Sequence, residues 1–269
     1  MADSETTARV RGGLYRRAEW VIAWALPSIG DVIFVAVLLG ATFGLQGIAL
    51  GMDGDAGWNL RIGLQILRHG LPRSEFLLST TNGQPVVYWE WLSQACYALA
   101  YQVGGLNGVV ALAGLLVAVT SLGLYAALRA RRVPLLLALA LAIAGIGLTS
   151  ITWTARAQLF SLALTLWTSE EVWRYWRDGR VARLWRFPPV FALWANLHGG
   201  FLGGLLLLAT ALMVAWLFPA ARGRAEPRRL AWSVAACVAA TLANPWGVGL
   251  WGHILGYLRN PLIARYTQE

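Results

Sequence analysis

The chain contains no lysine: all 22 of its basic residues are arginine. It is poor in charge of either sign, with charged residues at 13% of its 269 positions. Apolar residues supply 58% and the mean hydropathy is +0.56, outside the range of a soluble globular domain, so a water-soluble enzyme is excluded before any motif is read. Cysteine is scarce as well. Cys96 and Cys237 lie far apart in apolar stretches, which argues against a disulfide framework or a cysteine metal site and for two packing residues. Neither His-Glu-x-x-His nor Gly-x-Ser-x-Gly occurs, so intramembrane hydrolysis has no support. No internal repeat is visible, and charge collects at one face instead of the midplane, which speaks against a transporter.

What is present is the pattern of a polytopic membrane protein. The formal charge of +9 invites a nucleic-acid partner until the arginines are placed. They cluster at residues 9–17, 129–132, 174–186 and 222–229, between hydrophobic runs, and sixteen of the 22 fall in those clusters. Such clusters mark cytoplasmic loops by the positive-inside rule, and none adjoins a soluble surface able to read nucleic acid. Residues 1–28 are then a cytoplasmic segment. The apolar run after it is too long for a signal-peptide core and lacks a small-residue cleavage site, so it reads as a retained anchor.

The first expected span is 30–50, about 20 residues or about 30 Å of helix. It opens into a first extracytoplasmic loop, 52–105; the polar interval 51–92 is the longest in the chain. Residues 58–69 form an expected interfacial helix, with Arg61, Gln65 and Arg68 on one stripe opposite Leu60, Leu64 and Leu67, stopped by Gly70 and Pro72. A second, oblique helix is expected over 88–103, opening with Tyr88, Trp89 and Trp91 and broken by Gly104 and Gly105. Further spans are expected at 106–128, 134–148, 157–173, 188–197, 201–218 and 230–243, giving seven, with 259–269 outside. This weave brings Asp53, Asp55, Glu90, Arg156, Asn196, His198 and Asn244 to the extracytoplasmic end from five stretches. Polar groups gathered at one membrane level define a candidate site, since each alone is costly there.

Each residue also has a plainer reading. Asp55 stands where a helix cap is wanted, Glu90 can pair with a loop arginine, and Arg156 can snorkel to the interface. His198, beside two glycines, can be a structural hydrogen-bonder, and Asn196 and Asn244 can be turn and cap residues. The fifteen tryptophans read as interface anchors.

The ordered motifs Asp53-x-Asp55-x-x-Trp58, 66–70 followed by Pro72, 83–85 (GQP), 90–92 (EWL), 156–161 (RAQLFS), 193–201 (LWANLHGGF) and 244–247 (NPWG) resemble a bacterial membrane family related to the GT-C glycosyltransferases. The resemblance covers the chain from residue 29 to its end. It implies an all-α, GT-C-like module of about seven transmembrane helices (29–258), with juxtamembrane helices in the first outer loop, in the bacterial inner membrane. Relatives of that family take a sugar from a polyprenyl-phosphate carrier, and a first-loop acid is the base or orients the acceptor. Asp53 and Asp55 occupy the matching place, both for that role and for the divalent cation, such as Mg or Mn, that some members bind. Two features depart from the pattern. Asn59 stands where many members carry His, and the sequence ends at Glu269 where relatives continue into more helices, so a truncated or minimal member is expected.

The expected chemistry is transfer to an envelope acceptor. Asp53 or Asp55 accepts the acceptor's proton. Arg156 and Arg61 face the departing phosphate, which guanidinium pairs bidentately, and Glu90, Asn196, His198 and Asn244 contact the substrate, His198 as a phosphate ligand or proton relay. The alternative is a non-catalytic subunit that binds a polyprenyl lipid or assists envelope assembly.

Overall fold

The computed structural model describes residues 27–43, 54–150, 153–220 and 223–260. The described residues form helices and no strand: α1 (Ile29–Thr42), α2 (Ala56–His69), α3 (Trp91–Ala130), α4 (Leu135–Thr149), α5 (Gln158–Asp178), a 3-10 turn (Val181–Arg186), α6 (Phe187–Leu197), α7 (Phe201–Leu217), α8 (Pro227–Ala240) and α9 (Val248–Arg259). A single antiparallel bridge joins Ser74 to Pro85.

Local chemistry sets most of these boundaries. α1 opens on a capping box, in which Asp31 N–H donates to Ser28 Oγ (3.2 Å) and Ser28 N–H to Asp31 Oδ2 (2.7 Å). α2 ends at Gly70, as the sequence predicts, and α5 at Gly179 in the left-handed conformation. Proline in the first turn starts both α6 and α8, where its missing N–H costs nothing. The expected break at Gly104 and Gly105 is present: both leave helical angles, so α3 is two helical halves joined at a kink.

α3 is the element against which α1, α2, α4, α5 and α6 all pack. At Gly63 the approach of α2 is so close that a Cβ would lie 2.1 Å from the carbonyl oxygen of Gln94, so only glycine fits. A first core, built on Ala41, Tyr97, Ala113, Val117 and Leu159, joins α1, α3 and α5. A larger one joins α5 to α8 around Tyr175, Phe187, Phe191, Trp194, Phe201 and Leu230, each no more than 1% exposed.

Among the described residues α3 is the one helix long and apolar enough to cross a membrane; α1, α4 and α7 are apolar but shorter. The other expected spans fall short for visible reasons. α5 has the length, but its second half carries Glu170, Glu171, Arg174, Arg177 and Asp178; α6 has 11 residues, and α8 begins with Arg228 and Arg229. The first expected span is helical over Ile29–Thr42, and its remainder lies outside the described residues. α9 is an addition that the sequence pattern did not announce. It is held by Trp89, whose ring meets His253 and Tyr257 edge-on at 5.1 and 5.4 Å. Cys96 and Cys237 are free thiols, Cys237 fully buried.

Candidate functional site

The candidate site is laid out along the first turns of α3. Glu90, Gln94 and Tyr97 follow at i, i+4 and i+7, so they share one face of that helix, and each holds a different segment of the chain. Tyr97 Oη donates to the carbonyl oxygen of Arg156 (3.0 Å). Gln94 Nε2 donates to Asn59 Oδ1 (2.9 Å), fixing α2. Glu90 Oε1 lies 3.3 Å from His198 Nε2, at the α6–α7 turn. A fourth residue, Trp91, donates from its indole nitrogen to Asn196 Oδ1 (2.8 Å).

Asp55 and Arg156 meet. The guanidinium Nη2 is 3.0 Å from Asp55 Oδ2, across a hundred residues of sequence. The aspartate side chain is 60% exposed and that of Arg156 24%, so the pair is wet on one side and contributes at most about 1 kcal/mol to stability. Asp55 makes no side-chain capping bond to α2, so the plain capping reading is not what occupies its carboxylate. Asp53, the other expected catalytic acid and metal ligand, lies outside the described residues.

His198 is fixed from three directions. Its Nδ1 accepts from Gly200 N–H (2.9 Å) and lies 2.7 Å from Ser161 Oγ, which in turn accepts from the buried indole N–H of Trp194 (2.7 Å). With Trp194 donating into Ser161, the serine hydroxyl is directed to Nδ1. An Nδ1 that accepts from two donors carries no proton, so the imidazole is neutral with its hydrogen on Nε2, facing Glu90. Burial pushes the imidazole down to about 4. The Glu90 carboxylate acts in the opposite sense, but the two donors at Nδ1 oppose a second proton directly. Gly200 is required by this arrangement: a Cβ there would stand 2.3 Å from Ser161 Oγ and 2.7 Å from His198 Nδ1.

Asn196 and Asn244 have their amides engaged internally. Asn196 Nδ2 donates to the carbonyls of Ala192 (2.7 Å) and Ala243 (2.9 Å), tying α6 to the turn after α8. Asn244 Oδ1 accepts from Trp246 N–H (2.8 Å) and its Nδ2 donates to the carbonyls of Thr241 (2.7 Å) and Gly247 (3.2 Å). Both behave as the turn and cap residues of the plainer reading, although they line an open hollow of about 450 Å³ with Trp91, Leu193 and Pro245. Arg61 is exposed on α2 and is not brought into the cluster.

The loop between α2 and α3 is braced separately. Glu75 is 6% exposed, and its Oε1 accepts from the backbone N–H groups of Phe76, Leu77 and Leu78. Burial pushes this carboxyl up, but the backbone donors outweigh it and hold it below the usual carboxylate range. Burial first, and then the charge of Glu75, push the neighbouring Tyr88 hydroxyl up to about 12. Arg73 completes the brace, donating to the carbonyl of Pro245 (3.0 Å) with its guanidinium carbon 5.6 Å from the centre of the Trp246 ring.

Among the described residues no three His, Cys, Asp or Glu side chains gather as a metal-binding set. Asp55, bound to a guanidinium, does not by itself fit a hard divalent cation that wants about six oxygen ligands. The sequence-level reading did not assign roles to Ser161, Trp194, Gln94 and Tyr97. For Gln94 and Tyr97 a signal existed: with Glu90 they form a polar stripe at helical spacing.

Among the described residues these features define an all-helical protein with one helix long and apolar enough to cross a membrane and a polar cluster organised by the start of that helix. No protein-family model, no curated protein and no solved structure matches the chain.

Proposed function

We propose that this chain is a multi-pass membrane glycosyltransferase of GT-C-like, seven-span architecture that moves a sugar from a polyprenyl-phosphate donor to an envelope acceptor on the extracytoplasmic side. The reading rests on the motif resemblance, and the observation that carries it is the Asp55–Arg156 contact at 3.0 Å. Transfer needs a carboxylate for the acceptor's proton and a cation for the leaving phosphate, and here the two stand side by side. The acceptor oxygen forms its bond to the anomeric carbon, the bond from that carbon to the phosphate oxygen breaks, the proton passes to Asp55 or Asp53, and the phosphate leaves as an anion against Arg156. Phosphate also competes with Asp55 for the guanidinium, so donor binding weakens the hold of Arg156 on the carboxylate.

A second reading, a non-catalytic subunit that binds the lipid carrier, draws on the internal engagement of Asn196 and Asn244. Those bonds leave Arg156 and His198 as the groups suited to holding a phosphate, with fewer groups for an acceptor.

The test is release of labelled sugar from a panel of polyprenyl-phospho-sugars, with carrier binding followed in the same samples. The transferase reading expects Asp53→Asn or Asp55→Asn to lower release by about 10²- to 10⁴-fold while carrier binding persists. Carrier binding without release in the wild type selects the subunit, and absence of carrier binding defeats both.

A further inference from the structure

The opposite end of the bundle holds a groove that the outer cluster does not use. α8 lies beside the 3-10 turn there, held by the Ser233 hydroxyl donating to the carbonyl of Leu184 (3.1 Å). A cavity of about 390 Å³ opens between them, with Val181, Trp185 and Pro188 on one wall and Arg229, Trp232 and Ala236 on the other.

The chemistry of the groove changes along its length. Arg229, Trp232 and Ala236 succeed one another at helical spacing, so that wall passes from guanidinium through indole to methyl within seven residues, about 10 Å. The opposite wall carries Val181, Trp185 and Pro188. Trp185 and Trp232 are 73% and 79% exposed, which for rings of that size on so apolar a chain fits the headgroup level of a bilayer. Cations outnumber acids at the polar end. Arg229 shares its guanidinium with Glu226, whereas the exposed Arg224 and Arg228 form no ion pair with another described residue.

We propose that this groove binds one anionic phospholipid of the cytoplasmic leaflet, its phosphate against Arg228 and Arg229 and one acyl chain lying between Trp185 and Trp232 towards Ala236. A cation at one end and aliphatic walls at the other match a phospholipid, while about 10 Å of groove is too short to seat a partner helix of ordinary length. The proposal requires the chain to sit in a bilayer and is independent of sugar transfer.

The experiment is native mass spectrometry of the full chain, purified from an equal mixture of phosphatidylglycerol and phosphatidylcholine, counting the lipid molecules retained. Wild type retains phosphatidylglycerol in preference, and the preference falls as salt is raised. Arg229→Gln lowers retained phosphatidylglycerol about fivefold, the worth of one arginine near an anionic surface. Glu226→Gln raises it by releasing Arg229, and Trp232→Ala lowers retention of both lipids. Equal retention of the two lipids by wild type, or a preference indifferent to salt, overturns the proposal whether or not any variant folds. A dimer mass that Trp232→Ala abolishes, with no lipid held, places a second copy in the groove and overturns it equally.

Discussion

The carboxylate of Glu90 and the imidazole of His198 meet at 3.3 Å, with the far nitrogen of the ring already engaged by Gly200 and Ser161. The histidine is therefore held in one tautomer. Replacing Ser161 by Ala removes one of the two donors at Nδ1 and leaves the indole N–H of Trp194 without its acceptor. Nitrogen-15 spectra of ring-labelled protein should show wild-type His198 as the Nε2–H form alone, and a mixture of tautomers in Ser161→Ala. A mixture already present in the wild type contradicts the assignment.

The depressed His198 imidazole gives stability a definite pH dependence. Its folded value is about 4 against an ordinary 6.5, so between those limits the unfolded chain takes up the proton and the folded chain does not. Stability present above pH 6.5 is thus lost progressively as the pH falls towards 4. The melting temperature of the wild type should drop over that window, and His198→Gln should drop less. Parallel curves for the two proteins would falsify this account.

Arg156 holds Asp55, so neutralising the aspartate should leave the guanidinium more available to phosphate. Carrier affinity is expected to rise a few-fold in Asp55→Asn and to fall in Arg156→Ala, measured by binding of a polyprenyl phosphate in detergent. Because the aspartate end of the pair is exposed, loss of the contact itself should cost no more than about 1 kcal/mol of stability.

At the other end, Glu171 is 1% exposed on α5 and is bound by Arg174 (3.0 Å), Arg183 (3.1 Å) and Arg186 (3.4 Å). Arg183 also grips Asp178 at 2.9 Å, and that bond first, together with the other donors to Asp178, holds its carboxyl below the usual range. Removing Glu171 leaves Arg183 paired with Asp178 alone, so what is lost is the charged hydrogen bonds to the buried carboxylate. Glu171→Ala should destabilise the protein by about 1–3 kcal/mol, read by chemical unfolding. Arg186→Ala, at a side chain 58% exposed, should cost far less.

The parts of this structure legible in the sequence are those written in local punctuation. Gly70 stops α2 and Gly104 with Gly105 breaks α3 because glycine, and a glycine pair above all, takes up angles outside the helix at little steric cost. The contacts of Asp55 with Arg156, of Glu90 with His198 and of Trp91 with Asn196 join residues that the sequence pattern expects at one level of the bundle. Partner choice was not legible. That His198 faces Glu90 through one nitrogen and Ser161 through the other depends on how α3, α5 and α6 pack, and spacing along the chain carries no record of it. α9 was not among the expected spans: Gly249, Gly252 and Gly256 lower its helix propensity, and Trp89, which packs on it, lies far away in sequence.

The two glycines in α3 also divide its labour. Everything the helix contributes to the polar cluster lies before them, and the following stretch to Ala130, 25 residues and about 38 Å long, supplies the length needed to traverse a bilayer. In a thicker or thinner membrane the long half is expected to adjust by tilting about that joint. The short half can then keep Glu90, Gln94 and Tyr97 in register with their partners, as the fixed arm of a bracket holds its load while the other arm follows the wall.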